Sequence, residues 1–140
     1  MKVPVNEPLI NGNEKKYLIE CIDTGWISSE GPFIHKFENN LAAYFGRKHA
    51  IAVSNGTVAI DIAIDALDLN EGDESIMPTF TIISCITAIL RKRCVPIFVD
   101  QQEDTWNMDV SQIEKKITSR TKAIMIVHIL SLIHISEPTR

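Results

Sequence analysis

Four short apolar runs limit what this chain can fold into: "HAIAVS", "ESIMP", "VPIFVD" and "TKAIMIVH". Each has the length of a strand rather than of a helix. Longer segments with helical patterning stand between them. "GTVAIDIAIDAL", from Gly56 to about Leu67, is apolar nearly all round, except that Asp61, Asp65 and Asp68 share one stripe. That pattern suits a helix that covers a sheet and is itself buried under something else. The three Asp read as a solvated edge, since no His or Glu converges with them on a metal. "NEGD" turns the chain, "TIISCITAIL" is the next helix, and "RKR" at Arg91–Arg93 places cations at its C-terminus, where the helix dipole favours them. "MDVSQIEKKI" is a further helix, opened by Asp109 and Gln112 in capping-box spacing. Strands alternating with helices imply an α/β fold, a mainly parallel sheet with helices on both faces. Strands that read as unbroken apolar runs agree with that burial.

Ahead of the first run, "NGNEKKYLIECIDTG" predicts a helix with Asn13 as N-cap, Gly25 as terminator and an apolar stripe of Leu18, Cys21 and Ile22. The next helix begins near Pro32, a good first-turn residue. Phe33, Phe37, Leu41, Tyr44 and Phe45 form its expected buried face, and Gly46 stops it. Between the two lies the turn-rich "GWISSEGP", where Trp26 either plugs a core or lines a binding cleft.

The 140 residues are enough for one modest domain with a core, and the apolar and charged contents of 45% and 23% are those of a soluble globular protein. A net charge of −4 with no dominant basic face argues against nucleic-acid binding. Cys21, Cys85 and Cys94 lack metal or redox spacing and lie in or beside apolar runs, as buried thiols of a reducing cytoplasm would. No secretory leader pattern and no membrane-length apolar run is visible. Dinucleotide and nucleoside-triphosphate glycine motifs are absent, and so are zinc motifs. His35, His49, His128 and His134 are scattered, and no catalytic motif stands complete.

Ligands of parallel sheets gather beyond the carboxyl ends of the strands. Those ends are Ser54–Thr57, Pro78–Thr81, Asp100 and His128. The first is "SNGT", where an apolar run passes through small polar residues straight into a helix. Such a junction leaves the first helical N–H groups without partners, and with the helix dipole they form a site for an anion, most often a phosphate. The plainer alternative is an ordinary helix start with Ser or Asn as N-cap.

In order and spacing, "GWISSEGPFIHKFENNLAAYFG", "HAIAVSNGTVAIDIAIDALDLNEGDE", "MPTFT", "VPIFVD", "DTWNMD" and "TSRTKAIMIVH" resemble the N-terminal part of the DegT/DnrJ/StrS family of sugar aminotransferases. The resemblance covers about residues 3–129. It implies the large domain of a type I pyridoxal-phosphate (PLP) transferase, in part, and a homodimer with active sites at the subunit interface. "GWISS" and "TWNMD" are most similar to the perosamine-synthase branch, which acts on a GDP-linked 4-keto-6-deoxy sugar with glutamate as the usual amino donor. By the same resemblance, Gly56 and Thr57 bind the PLP phosphate and Asn55 shapes the turn. Ile82 stands where relatives carry an aromatic ring against PLP; either it packs on the cofactor or Phe80 does so. Trp26, Ile27 and Ser28 lie near the sugar nucleotide, of the same or the partner subunit.

The lysine that bonds to PLP in this family, and the Asp that pairs with the pyridine nitrogen, lie downstream of the last matching residue. Amino transfer needs that amine. The closing "LSLIHISEPTR" departs from the family and resembles translated sequencing-adapter read-through. The sequence therefore reads as residues 1–129 of a transferase large domain joined to a non-native tail at 130–140, without activity of its own. The alternative is a stand-alone α/β phosphate-binding module.

Overall fold

A computed structural model describes residues 3, 4 and 7–128, in two compact units divided between Ala52 and Val53. The first unit holds α1 (Glu14–Thr24) and α2 (Pro32–Tyr44). Gly25 ends α1 as expected, in the left-handed region (φ 74°), with its N–H on the Ile22 carbonyl. Asn13 precedes α1, but its side chain makes no cap bond. Gly31, at φ 150°, leads into Pro32, and a Cβ there would stand 3.4 Å from Trp26. The rings of Tyr17 and Phe33 join the helices with centroids 5.3 Å apart.

The apolar stripes of this unit are largely uncovered, contrary to expectation. Leu18 and Ile22 of α1 are exposed, as are Phe37 and Tyr44 of α2 and Phe45 just after it, and Cys21 is only half-buried. Ala42 is the buried residue of α2. The helical periods are right; within this unit no described element covers them.

The second unit is built around a parallel three-stranded sheet in the order β2-β1-β3, with β1 Glu74–Pro78, β2 Val95–Val99 and β3 Thr121–Ile124. All five residues of β1 are buried, because helices cover both faces. Met77 packs with Ile64 of α3 (Gly56–Asp65) and with Cys85, Ala88 and Ile89 of α4 (Ile83–Arg91). On the other face Ile76 meets Val99 and Met108, with Ile113 of α5 (Ile113–Lys116) against them. This is the doubly covered α/β sheet expected from the pattern. Cys85 and Cys94 are buried, and burial, followed by the nearby Asp73 charge, pushes the Cys94 thiol up.

Several elements differ from the sequence reading. "HAIAVS" (His49–Ser54) is not a strand: no described strand pairs with it, and the Ala52 N–H goes instead to the Glu38 carboxylate at 2.8 Å. The last strand stops at Ile124, although the Met125 N–H still reaches the Ile76 carbonyl at 2.8 Å. Nor are the Asp of α3 merely solvated. Asp61 pairs with Arg91, and Asp65 with Lys92 at 2.9 Å, so the "RKR" run clasps α4 to α3. Asp109 caps its helix through the Ser111 N–H, and the Gln112 side chain donates to the Asp109 carboxylate instead of accepting from the Asp109 N–H, which goes to the Asp100 carbonyl. That helix opens as a 3-10 turn over Val110–Gln112. Among the described residues no helix is long and apolar enough to cross a membrane.

Glu74, at the amino end of β1, is 2% exposed and bonded to the Thr118 hydroxyl at 2.6 Å, the Arg120 guanidinium at 2.7 Å and the Thr121 hydroxyl at 3.3 Å. It ties β1 to the approach of β3, where the ladder shifts register between Glu74 and Ser75. The Thr118 hydrogen bond, outweighing the opposing effect of burial and joined by the Arg120 charge, holds its carboxyl below the usual range. A carboxyl whose folded pKa is depressed contributes stability that is present above its unfolded pKa and lost as pH falls through the folded one. We expect the denaturant midpoint of the protein to fall between pH ~7 and ~3, and Glu74→Gln to flatten that dependence. An unchanged pH profile in the variant would assign the acid sensitivity to other groups.

Candidate functional site

The site begins with how α3 starts. Asn55 is extended, at φ −168° and ψ 171°, and turns Ser54 into the helix. Its Oδ1 accepts from the Val58 N–H at 3.0 Å, and its carbonyl accepts from the Ala59 N–H at 3.1 Å. Its Nδ2 donates to the Ser54 hydroxyl at 3.1 Å. The third and fourth amides of the helix are thus satisfied internally. The first two, of Gly56 and Thr57, have no protein acceptor among the described residues. Asn55 is therefore the N-cap, and two bare amides remain beside it.

Those amides are reachable. A Cβ built on Gly56 would meet nothing within 4 Å, so an oxyanion can approach the backbone there. The first turn of α3 carries no acidic residue to oppose the dipole. Backbone donors, open space and positive potential suit a phosphate dianion. The helix that presents them is fixed from below: Ile60 and Ile64 pack into the cluster around Met77 and Ile89.

Ile82 belongs to a second helix start. It is the N-cap of α4, extended and 61% exposed, and it lines an apolar cavity together with Cys85 and His128. Phe80, two residues earlier, is engaged edge-on with Trp106, their centroids 5.6 Å apart. Trp26, Ile27 and Ser28 lie in the first unit, in the loop between its helices. There Trp26 is half-exposed and Ile27 is exposed, and the Ser28 hydroxyl is turned onto the Glu30 backbone at 3.1 Å.

The lysines of the second unit stand elsewhere. Lys92 is held by Asp65, at the opposite end of α3 from Gly56. Lys122 donates to the Ser119 carbonyl at the amino end of β3. Lys115 and Lys116 ride on α5, whose Ile113 packs on the other face of the sheet. Sequence reasoning also passed over Ser75 and named Thr81 only as the limit of a strand end; the hydroxyls of both are buried without a partner among the described residues. For Ser75 the available signal was a polar residue in the middle of a buried strand. No group of His, Cys, Asp and Glu that could hold a metal occurs among the described residues.

A parallel sheet covered by helices on both faces is the framework of an α/β protein whose ligands gather beyond the carboxyl ends of its strands. Residues 8–133 match the DegT/DnrJ/EryC1/StrS aminotransferase family, and the chain belongs to that family. It is 51% identical over 127 residues to GDP-perosamine synthase of Escherichia coli O157:H7, covering 91% of this chain and 35% of that protein. Among solved structures it resembles E. coli GDP-4-keto-6-deoxy-D-mannose-3-dehydratase with bound hydrated PLP, at a TM-score of 0.83 and 27% identity over 92% of this chain and 34% of that one. It also resembles the aminotransferase from Psychrobacter cryohalolentis, at a TM-score of 0.79 and 32% identity over 87% and 31% of the two chains. The chain thus spans about a third of the length of the relatives it matches.

The Asn55 carboxamide is the one side-chain cap of α3, so Asn55→Ala should destabilise the protein by about 1 kcal/mol. Chemical denaturation of the two proteins checks this; equal midpoints would mean that the Val58 amide is satisfied without the cap.

Proposed function

We propose that this chain is the N-terminal part of a PLP-dependent sugar aminotransferase in which the amides of Gly56 and Thr57 hold the cofactor phosphate. One observation carries the reading: these two N–H groups remain bare while Asn55 satisfies the amides that follow. The open space at Gly56 fits the group. Thr57 can add its hydroxyl as a third donor, and Ile82 provides an aliphatic floor for the pyridine ring. When bound, PLP supplies the electron sink for moving an amino group.

The substrate is a nucleotide-linked 4-keto-6-deoxy sugar, GDP-linked in view of the likeness to GDP-perosamine synthase, with glutamate as amino donor. Trp26, Ile27 and Ser28 contact that substrate. The complete enzyme is a cytoplasmic homodimer that makes surface-polysaccharide precursors. Residues 130–140, the non-native tail of this reading, lie outside the described residues. By the family resemblance the lysine that bonds to PLP lies downstream of the matched residues, so the chain holds the cofactor phosphate without turning over.

Two measurements test this. With PLP, glutamate and a GDP-4-keto-6-deoxy sugar, the chain should form no amino sugar above a protein-free control; turnover would contradict the need for a downstream lysine. Gly56→Val places a branched side chain where the anion must meet the backbone, and should weaken PLP binding by roughly 1–3 kcal/mol in an absorbance titration. Unchanged affinity would reduce this junction to a plain helix cap.

A further inference from the structure

Trp106 sits in the left-handed backbone region, at φ 56°. That region disfavours a bulky side chain, and a turn normally gives such a place to Gly, Asn or Asp. Strain of this kind persists only where the surroundings impose it, and it gathers at ligand sites. The ring is nevertheless 55% exposed, and its aromatic contact among the described residues is the edge-on one with Phe80. The hairpin around it fixes the strained turn. Gln101 and Met108 form an antiparallel bridge, and Met108 is anchored in the core with Ile76 and Val99. The Gln102 N–H donates to the Asn107 carbonyl at 2.9 Å and the Trp106 N–H to the Gln102 carbonyl at 3.0 Å.

This hairpin leaves the carboxyl end of β2, and Phe80 follows closely on the carboxyl end of β1. The aromatic pair therefore lies where ligands of a parallel sheet gather. A carboxylate stands at the same end. Asp100 directly follows β2 and is exposed. Its Oδ1 accepts from the Gln101 N–H at 2.8 Å and from the hydroxyl of Thr79, the neighbour of Phe80, at 3.4 Å. Its Oδ2 has no partner among the described residues. An indole gives any nucleobase a stacking surface, while a carboxylate only accepts and so selects a base edge that donates. Guanine is the common base with two adjacent donors, its N1–H and its 2-amino group.

We propose that Trp106, Phe80 and Asp100 form the base subsite of the nucleotide-sugar site. Guanine stacks on the Trp106 ring, which Phe80 braces from the side, and donates from N1 and the 2-amino group to the Asp100 carboxylate. The subsite thus selects a guanine nucleotide over a pyrimidine one. The inference deepens the reading of the chain as part of an enzyme for a GDP-linked sugar and rests on that reading.

The test titrates the full chain with GDP, with inosine diphosphate, which lacks the 2-amino group, and with uridine diphosphate, following the indole N–H resonances of its two tryptophans. The resonance missing from Trp106→Asn is that of Trp106; asparagine tolerates the left-handed backbone, so the variant removes the ring and keeps the turn. The Trp106 signal should shift and saturate with GDP, with about tenfold weaker binding of the other two nucleotides. Trp106→Asn should lose about tenfold in GDP affinity. Asp100→Asn keeps an acceptor for Thr79 and Gln101 but not the charge, and should bring GDP down to the affinity of inosine diphosphate. A Trp106 signal that ignores GDP, equal affinities for the three nucleotides, or a GDP preference that survives Asp100→Asn would overturn the proposal. A GDP preference in a chain whose Gly56 and Thr57 amides ignore PLP upholds the base subsite and overturns the cofactor reading. The opposite pattern does the reverse, so the two fail separately.

Discussion

Burial of β1 on both faces is the constraint on which the second unit depends. A strand inside a sheet must place every backbone donor and acceptor, and β1 does so between β2 and β3. Its side chains then divide the space: Met77 supports α3 and α4, while Ile76 supports the turn into α5. The charged residue in this strand, Glu74, is tolerated because Arg120 and two threonine hydroxyls neutralise and saturate it. Removing Arg120 would leave the buried carboxylate without its counter-charge, held by the two hydroxyls alone.

The bare amides of Gly56 and Thr57 follow from that arrangement. Ile60 and Ile64 fix α3 on the Met77 face, and Asn55 turns the chain into the helix and caps it. The carboxylates Asp61 and Asp65 lie further along, where Arg91 and Lys92 compensate them. The positive end of the helix is therefore not offset by its own acidic residues. The two sequence readings of "SNGT", helix cap and anion site, do not exclude each other: Asn55 caps the later amides, and those of Gly56 and Thr57 stay bare.

What was legible in the sequence was local. "ESIMP" and "VPIFVD" read correctly as strands because their neighbours lie within the chain, and Gly25 and Pro32 marked helix limits because their backbone chemistry acts on the spot. What depended on distant partners was not legible. "HAIAVS" has the pattern of a buried strand, yet a strand exists only as half of a ladder, and none reaches it among the described residues. Leu18, Phe37 and Tyr44 carry helical periodicity but are left uncovered. The Asp stripe of α3 showed its spacing, not the basic run thirty residues away that answers it. For the candidate site, the sequence pointed to the junction at Ser54–Thr57, but the division of labour between Asn55 and the bare amides needed three-dimensional positions.

The most direct test of the phosphate reading is amide NMR of the chain titrated with PLP and, separately, with pyridoxal, which lacks the phosphate. The Gly56 and Thr57 resonances should move and saturate with PLP and stay in place with pyridoxal, while Val58, held by Asn55, moves little. Equal responses to the two compounds, or shifts confined to other residues, would contradict the assignment of these amides to the cofactor phosphate.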